Sequence, residues 1–286
     1  MRLHMPTAEI YIPDGQALET ALGRTTHLAV SAHQDDIEIM AAGPILKCYQ
    51  HPDLWFSGVV MTDGRGSPRD GSYKDYSDEA MRQVRNSEQR KAAHLGEYAA
   101  LVMLDYPSRV IKDGASQQPP EDLLQILQAT HPREVFTHNL ADKHDTHVGT
   151  ALRVITAIRS LPVSERPQKL FGCEVWRDLD WMVDEEKVSF DLTTHENLQS
   201  ALLGVYDSQI SGGKRYDLAS LGRRRANATY YESHGVDVTT GLSYAMDLTP
   251  LIITPEKDIK DFVQEHIQHF AHDVADRLTR LGERDV

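Results

Sequence analysis

The stretch His27-Leu28-Ala29-Val30-Ser31-Ala32-His33-Gln34-Asp35-Asp36 decides the fold. Its first five residues form a short apolar run suited to a buried strand. A polar turn follows, and a helical pattern starts near Asp36 and continues through Gly43 to Gln50. The unit then repeats. Phe56 to Met61 reads as a second strand, closed by Thr62-Asp63-Gly64. Ser77 to Leu95 reads as a long helix, with Ser77 as N-cap and Gly96 as stop. Leu101 to Leu104 gives a third strand, Pro120 to Ala129 a helix, Val135-Phe136-Thr137 a fourth strand, and His147 to Ser160 another helix.

This alternation predicts an α/β fold: a Rossmann-like, mostly parallel sheet with helices on both faces. Ligands in such folds sit beyond the carboxyl ends of the strands, near the switch in strand order. The loops after the first, second and fourth strands are therefore expected to converge. The C-terminal part is less regular. Lys169 to Trp176 and Val188 to Leu192 read as strands, and His195 to Tyr206 and Gly213 to Ala228 as helices. A long amphipathic helix spans Ile259 to Leu281. With no repeat or linker in sight, residues 1–286 are expected to form a single domain, with its core about 26–210 and a helical extension about 255–283.

Composition narrows the functional classes. The 286 residues are 40% hydrophobic and 26% charged, an ordinary globular balance. A formal net charge of -13 argues against nucleic acid as partner. The exception, Arg223-Arg224-Arg225, reads as a solvated basic face. Two cysteines, Cys48 and Cys173, read as buried free thiols rather than a disulfide framework. No stretch has signal-peptide character or approaches the roughly 20 apolar residues of a membrane span, so a cytoplasmic protein without a transmembrane segment is expected.

The chemistry concentrates in two loops. His33 and Asp36 stand three apart across a strand-to-helix turn, a spacing that aims both side chains at one point, with Asp35 between them. The loop after the fourth strand runs from His138 to His147, which supplies a third ligand from across the sheet. Two nitrogens and one carboxylate with an open fourth position match a catalytic zinc, although such a donor set admits other first-row ions. Zinc lowers the pKa of a bound water, and a neighbouring carboxylate takes its proton. The competing reading is solvated histidines and acidic residues that merely cap a helix. Asp63 ends the second strand as either a substrate contact or a turn residue. Arg85 and Glu88, one helical turn apart, form a surface ion pair on spacing alone. Residues 65–78 read as a mobile loop over the site that carries Tyr73 and Tyr76, and His4, His51 and His138 as structural or solvated.

The pattern resembles the PIG-L/LmbE-like family of zinc-dependent N-acetylglucosamine deacetylases. His33-Gln34-Asp35-Asp36-Ile37 stands where that family carries His-Pro-Asp-Asp-Glu, and His144-Asp145-Thr146-His147 where it carries His-Pro-Asp-His. Thr62-Asp63-Gly64, Arg85 to Glu88 and Tyr206-Asp207-Ser208-Gln209 echo further family stretches, so the likeness covers roughly residues 26–210. It implies His33, Asp36 and His147 as ligands of one Zn2+, Asp35 as general base, and His144 as the group that stabilises the oxyanion or protonates the leaving amine. It implies Arg85 as a sugar contact, an N-acetylated sugar or glycoconjugate as substrate, and homo-oligomers. The departures fall at Gln34, Ile37 and Asp145-Thr146. The last displaces the carboxylate expected beside His144, a role left to Asp145 or Asp142. The alternatives are another metal-dependent hydrolase, phosphoesterase-like, or a catalytically silent sugar-binding protein.

Overall fold

The computed structural model describes residues 1–282. Its strands are β1 (Glu9–Tyr11), β2 (His27–Ser31), β3 (Phe56–Thr62), β4 (Ala100–Tyr106), β5 (Glu134–His138), β6 (Lys169–Cys173), β7 (Lys187–Asp191) and β8 (Leu242–Asp247). They form one sheet in the order β1-β4-β3-β2-β5-β6-β8-β7. The five central strands β4-β3-β2-β5-β6 are parallel, while β1, β8 and β7 add antiparallel pairs at the two sides.

Every residue of β2, β3 and β4 is buried, as a sheet covered on both faces requires. Strand alternation sorts their side chains into two cores. Leu28, Val30, Val59, Met61, Val102 and Leu104 point to one. Ala29, Val60, Leu101 and Met103 point to the other. The first core is covered by α6 (Gln118–Thr130) and α7 (Asp145–Arg159), the second by α2 (Asp36–Met40), α3 (Ala42–Cys48), α4 (Asp78–Leu95) and α8 (Glu196–Gly204). Ser77 caps α4 by accepting a hydrogen bond from the Ala80 amide at 3.2 Å.

Three differences from the sequence reading have physical causes. The helix expected from Asp36 onward is broken at Ala41, where φ is -112° and ψ 26°. Pro44 has no N–H for the helical ladder and is tolerated only within the first turn of a new helix, α3. Gly43 lies where a Cβ would come within 2.8 Å of Phe190, so only glycine lets α3 approach β7 this closely. Second, β8 inserts between β6 and β7, so the sheet draws on residues well past 210. The strand expected from Lys169 to Trp176 ends at Cys173. Third, the arginine cluster is not a solvated face. It lies on α10 (Tyr216–Tyr230), where consecutive residues point about 100° apart. Arg223 donates to the Val175 carbonyl, Arg224 is buried and donates to the Glu38 carbonyl at 2.7 Å, and exposed Arg225 donates to the Thr240 carbonyl at 2.7 Å.

Helix α12 (Ile259–Gly282) occupies most of the expected extension; residue 283 of that reading lies outside the described residues. Among the described residues, no helix is long and apolar enough to cross a membrane. Both cysteines are free and buried.

Candidate metal centre

The order β4-β3-β2-β5-β6 means that the chain builds outward from β2 on one side and, after β4, continues with β5 on the other. The switch lies between β2 and β5, where a crevice opens at the carboxyl ends. His33 and Asp36 follow β2, and His147 follows β5, entering on the first turn of α7. Topology alone thus brings residues 114 positions apart to one point.

The geometry is tight. His33 Nδ1 lies 3.1 Å from Asp36 Oδ2 and 3.3 Å from His147 Nε2, which is itself 3.3 Å from Asp36 Oδ2. Ligand atoms about 2.0–2.1 Å from a tetrahedral zinc stand about 3.3 Å from one another. The donor set and its spacing therefore fit such an ion. The three atoms also favour positive charge between them. Burial works against a charged His147, but Asp36 and Asp142 outweigh it and hold its pKa up at about 9. Burial likewise opposes a charged Asp36, yet His147 and His33 bring its carboxyl well below the usual range.

Two groups hold the His147 ring. The His138 ring stacks on it at 3.9 Å between centroids. The Ala32 amide donates to His138 Nε2 at 2.8 Å, so that nitrogen is an unprotonated acceptor, and burial pushes the pKa of His138 well down. Asp142 Oδ2 lies 3.6 Å from His147 Nδ1, on the side of the ring away from the cluster. Asp142 also accepts from the amides of His144 at 2.9 Å and Trp176 at 3.0 Å. The displaced carboxylate thus faces the His147 ring and not that of His144, while Asp145 is exposed at the start of α7. A carboxylate behind a ligating imidazole orients it and raises its basicity.

Asp35 borders the cluster. Its φ of 83° is an unfavourable conformation for a residue with a Cβ. Three contacts over-determine it. Its amide donates to Gln89 Oε1 at 3.2 Å, and Arg85 reaches its Oδ2 from Nη1 at 3.1 Å and Nη2 at 3.2 Å. Arg85 also donates to the Gln34 carbonyl. Burial raises the carboxyl of Asp35 to about 6 despite Arg85. Arg85 is only 2% exposed, so it is no surface ion pair with Glu88. Glu88 instead accepts from the Ser208 amide at 2.7 Å and from its hydroxyl at 2.6 Å. This ties the Tyr206-Asp207-Ser208-Gln209 stretch to the wall of the site.

A layer beneath the site escaped the sequence reading. Ile37, at the family's acidic position, is fully buried among apolar residues, where such a side chain is worth about 1.5–3 kcal/mol. The next residue, Glu38, takes a buried polar place instead. It accepts from Tyr98 at 2.7 Å, Tyr206 at 2.5 Å and Gln89 at 2.9 Å, and burial lifts its pKa to about 7. The available signal was a run of polar residues, Arg85, Glu88 and Gln89, on the buried side of α4.

His33, Asp35, Asp36, Arg85 and His144 open into one cleft of about 680 Å3. His144 stands edge-on to His33, with ring centroids 5.0 Å apart. Its Nδ1 is buried without a partner, and burial lowers its pKa. Gly66, Ser67 and Pro68 of the loop after β3 line the cleft, but Tyr73 and Tyr76 do not. Tyr73 is instead anchored to Asp207 at 2.6 Å. Asp63 also stays outside the lining. It accepts from the Arg65 amide at 3.2 Å and pairs with its side chain at 3.3 Å, the behaviour of a turn residue. Trp176 lines the cleft beside His144, while His4 pairs with Asp122 and His51 accepts from the Asp53 amide.

Fold and site together define a Rossmann-like α/β protein with a His-His-Asp cluster suited to a metal ion at its strand ends. Residues 28–158 match the family model described as PIG-L: GlcNAc-PI de-N-acetylase, so this stretch is similar to PIG-L family domains. It is 27% identical over 151 residues to the uncharacterized deacetylase YaiS of Escherichia coli K12, covering 52% of this chain and 76% of that protein. Two solved structures share the fold. GalB, the 4-carboxy-2-hydroxymuconate hydratase of Pseudomonas putida KT2440, aligns with a TM-score of 0.60 at 16% identity, over 78% of this chain and 96% of its own. The N,N'-diacetylchitobiose deacetylase of Pyrococcus horikoshii aligns with a TM-score of 0.59 at 21% identity, over 82% and 88%.

Proposed function

We propose that the protein is a metal-dependent amidohydrolase that removes the acetyl group from an N-acetylglucosamine-type sugar or conjugate. The observation that carries this reading is the cluster of three ligand atoms in one cleft with Asp35 and His144, within the stretch that matches the PIG-L family model. His33, Asp36 and His147 would hold the ion, zinc by preference of the donor set. Such an ion lowers the pKa of water and polarises an amide carbonyl.

The chain's own groups supply the rest. Asp35 accepts the proton of the attacking water at a carboxylate that Arg85 and the Gln89 side chain hold in place. His144, whose ring stands edge-on to His33, donates its N–H to the developing oxyanion, and the proton that Asp35 took from the water passes to the amine nitrogen as it leaves. Asp35 and Asp36 themselves are buried at the floor of the cleft, where a reduced dielectric strengthens these interactions. The fold alone does not select this reaction, since one structural neighbour is a hydratase. The choice rests on the family match and on the residues retained here.

The test is acetate release by zinc-loaded protein from a panel comprising N-acetylglucosamine, its disaccharide, and its lipid, inositol and malate conjugates. Turnover of any member supports the reading. No release from the whole panel, with about one zinc bound per chain, sinks it and favours a silent sugar-binding site.

A further inference from the structure

The walls of the cleft beyond the metal centre carry an unusual charge for this protein. The chain has a formal net charge of -13. Yet the acidic residues lining the cleft are Asp35 and Asp36, both part of the centre itself. The cations lining it are Arg85, Lys112, Lys214 and Arg223. Arg85 is neutralised by Asp35. Among the described residues, Lys112 and Lys214 pair with no carboxylate, and Arg223 feels the charge of the buried Glu174 carboxylate without forming an ion pair with it. The Lys214 ammonium lies 5.3 Å from the centroid of the Trp176 ring, and Lys143 lies 6.0 Å from the same ring, so two cations share one indole. Arg223 donates to the Val175 carbonyl, which leaves the rest of its guanidinium fork free. The nearby Asp217 is already taken by Arg215 at 2.7 Å.

Cations gathered on one wall repel each other, and an acidic protein has ample carboxylates to pair them. Trp176 connects this wall to the reacting end, because its ring stacks at 6.2 Å from that of His144. A substrate with its amide at the metal centre therefore extends along Trp176 toward Lys214 and Arg223. We infer that the cleft takes an N-acylated substrate bearing an anionic group, a carboxylate or phosphate ester, held by Lys214 and Arg223 with Lys112 on the rim. This rests on the deacetylase reading for the acyl end but not for the anion contact itself.

The full chain without metal is titrated by calorimetry with N-acetylglucosamine, its 1-phosphate and its carboxymethyl glycoside, at low and high salt. Without metal, an acidic group has no ion to ligate. Both acidic compounds are expected to bind about tenfold more tightly than the neutral sugar, since a charge-assisted hydrogen bond is worth about that factor. The gap closes as salt screens the contact. Lys214→Gln, which removes a half-buried ammonium whose side chain makes no hydrogen bond, and separately Arg223→Gln, each narrow it. A gap for only one acidic compound identifies the group as phosphate or carboxylate. Equal binding of neutral and acidic sugars, or a gap untouched by either substitution, overturns the inference. Acetate release by the zinc-loaded chain is followed alongside. A persistent gap with no release refutes the deacetylase reading alone, and release without a gap refutes the anion subsite alone.

Discussion

Replacing Arg85 with methionine tests whether this arginine is a buried support of Asp35 or an ordinary helix-surface residue. Arg85 is 2% exposed and Asp35 5%, and the two meet at 3.1 and 3.2 Å. An exposed pair of this kind contributes about 0–1 kcal/mol. Removing one member of a buried pair costs about 3–5 kcal/mol, because the other charge is left without compensation. The Gln34 carbonyl also loses its donor, which adds about 1 kcal/mol. Arg85→Met is therefore expected to cost about 4–6 kcal/mol, a large part of the roughly 5–15 kcal/mol that holds a typical domain together. Urea unfolding of metal-free protein at neutral pH measures it, with wild type, Arg85→Met, Asp35→Asn and the double variant compared at a common slope. In the double variant the amide at position 35 carries no charge to strand. It should recover more than about 1 kcal/mol relative to the sum of the single losses. A cost below about 1 kcal/mol for Arg85→Met, or losses that simply add, would refute the buried pair and with it the account of how Asp35 is held.

Asp35→Asn should lower the rate of acetate release by about 10²–10⁴-fold while leaving bound metal unchanged by elemental analysis; full activity with metal present would end the base assignment. A strong chelator should abolish turnover and lower the melting temperature, and His33→Ala or His147→Ala should cut metal content well below about one per chain. A stoichiometry near two would instead favour the phosphoesterase-like reading. Asp142→Asn should weaken metal binding by about 10–100-fold in a competition titration, and unchanged affinity would show that its contact with His147 is incidental.

How legible was all this in the sequence? The parallel sheet was, because β2, β3 and β5 are short apolar runs and each ends in a polar turn. His33, Asp36 and His147 stood out as candidates for the same reason, since strand ends at a switch point converge. The surface ion pair of Arg85 with Glu88 was a misreading because helix periodicity is a test for apolar faces. Helix α4 turns a mixed face inward, on which Met81 and Ala92 share burial with Arg85, Glu88 and Gln89. Such a face has no signature distinct from a solvated one until its partners are known. Asp142 was weighed for His144 because chain proximity suggested it. The loop folds so that its carboxylate meets the His147 ring five residues on. Strands β1 and β8 were missed because three residues at an edge and a run ending in Met246-Asp247 give too little pattern.

The arginine triplet explains why the irregular half of the chain matters to the site. Helix α10 contributes Tyr216, Ala219, Ser220 and Arg223 to the cleft wall, so its position sets the width of the opening. One residue on, Arg224 turns inward and donates to the Glu38 carbonyl at 2.7 Å and the Ile39 carbonyl at 3.2 Å. Those carbonyls belong to α2, the short helix that begins with Asp36. A five-residue helix has too few internal hydrogen bonds to hold its own orientation. Its last carbonyls, orphaned by the break at Ala41, are what Arg224 satisfies. Burial without a carboxylate partner lowers the pKa of Arg224 to about 10, so at neutral pH it remains charged and a full-strength donor. The same helix therefore shapes the cleft through Arg223 and braces the ligand-bearing helix through Arg224. Arg224→Met is therefore expected to loosen α2 and weaken metal binding at Asp36 in a competition titration, and unchanged metal affinity would show that α2 holds its place without this brace.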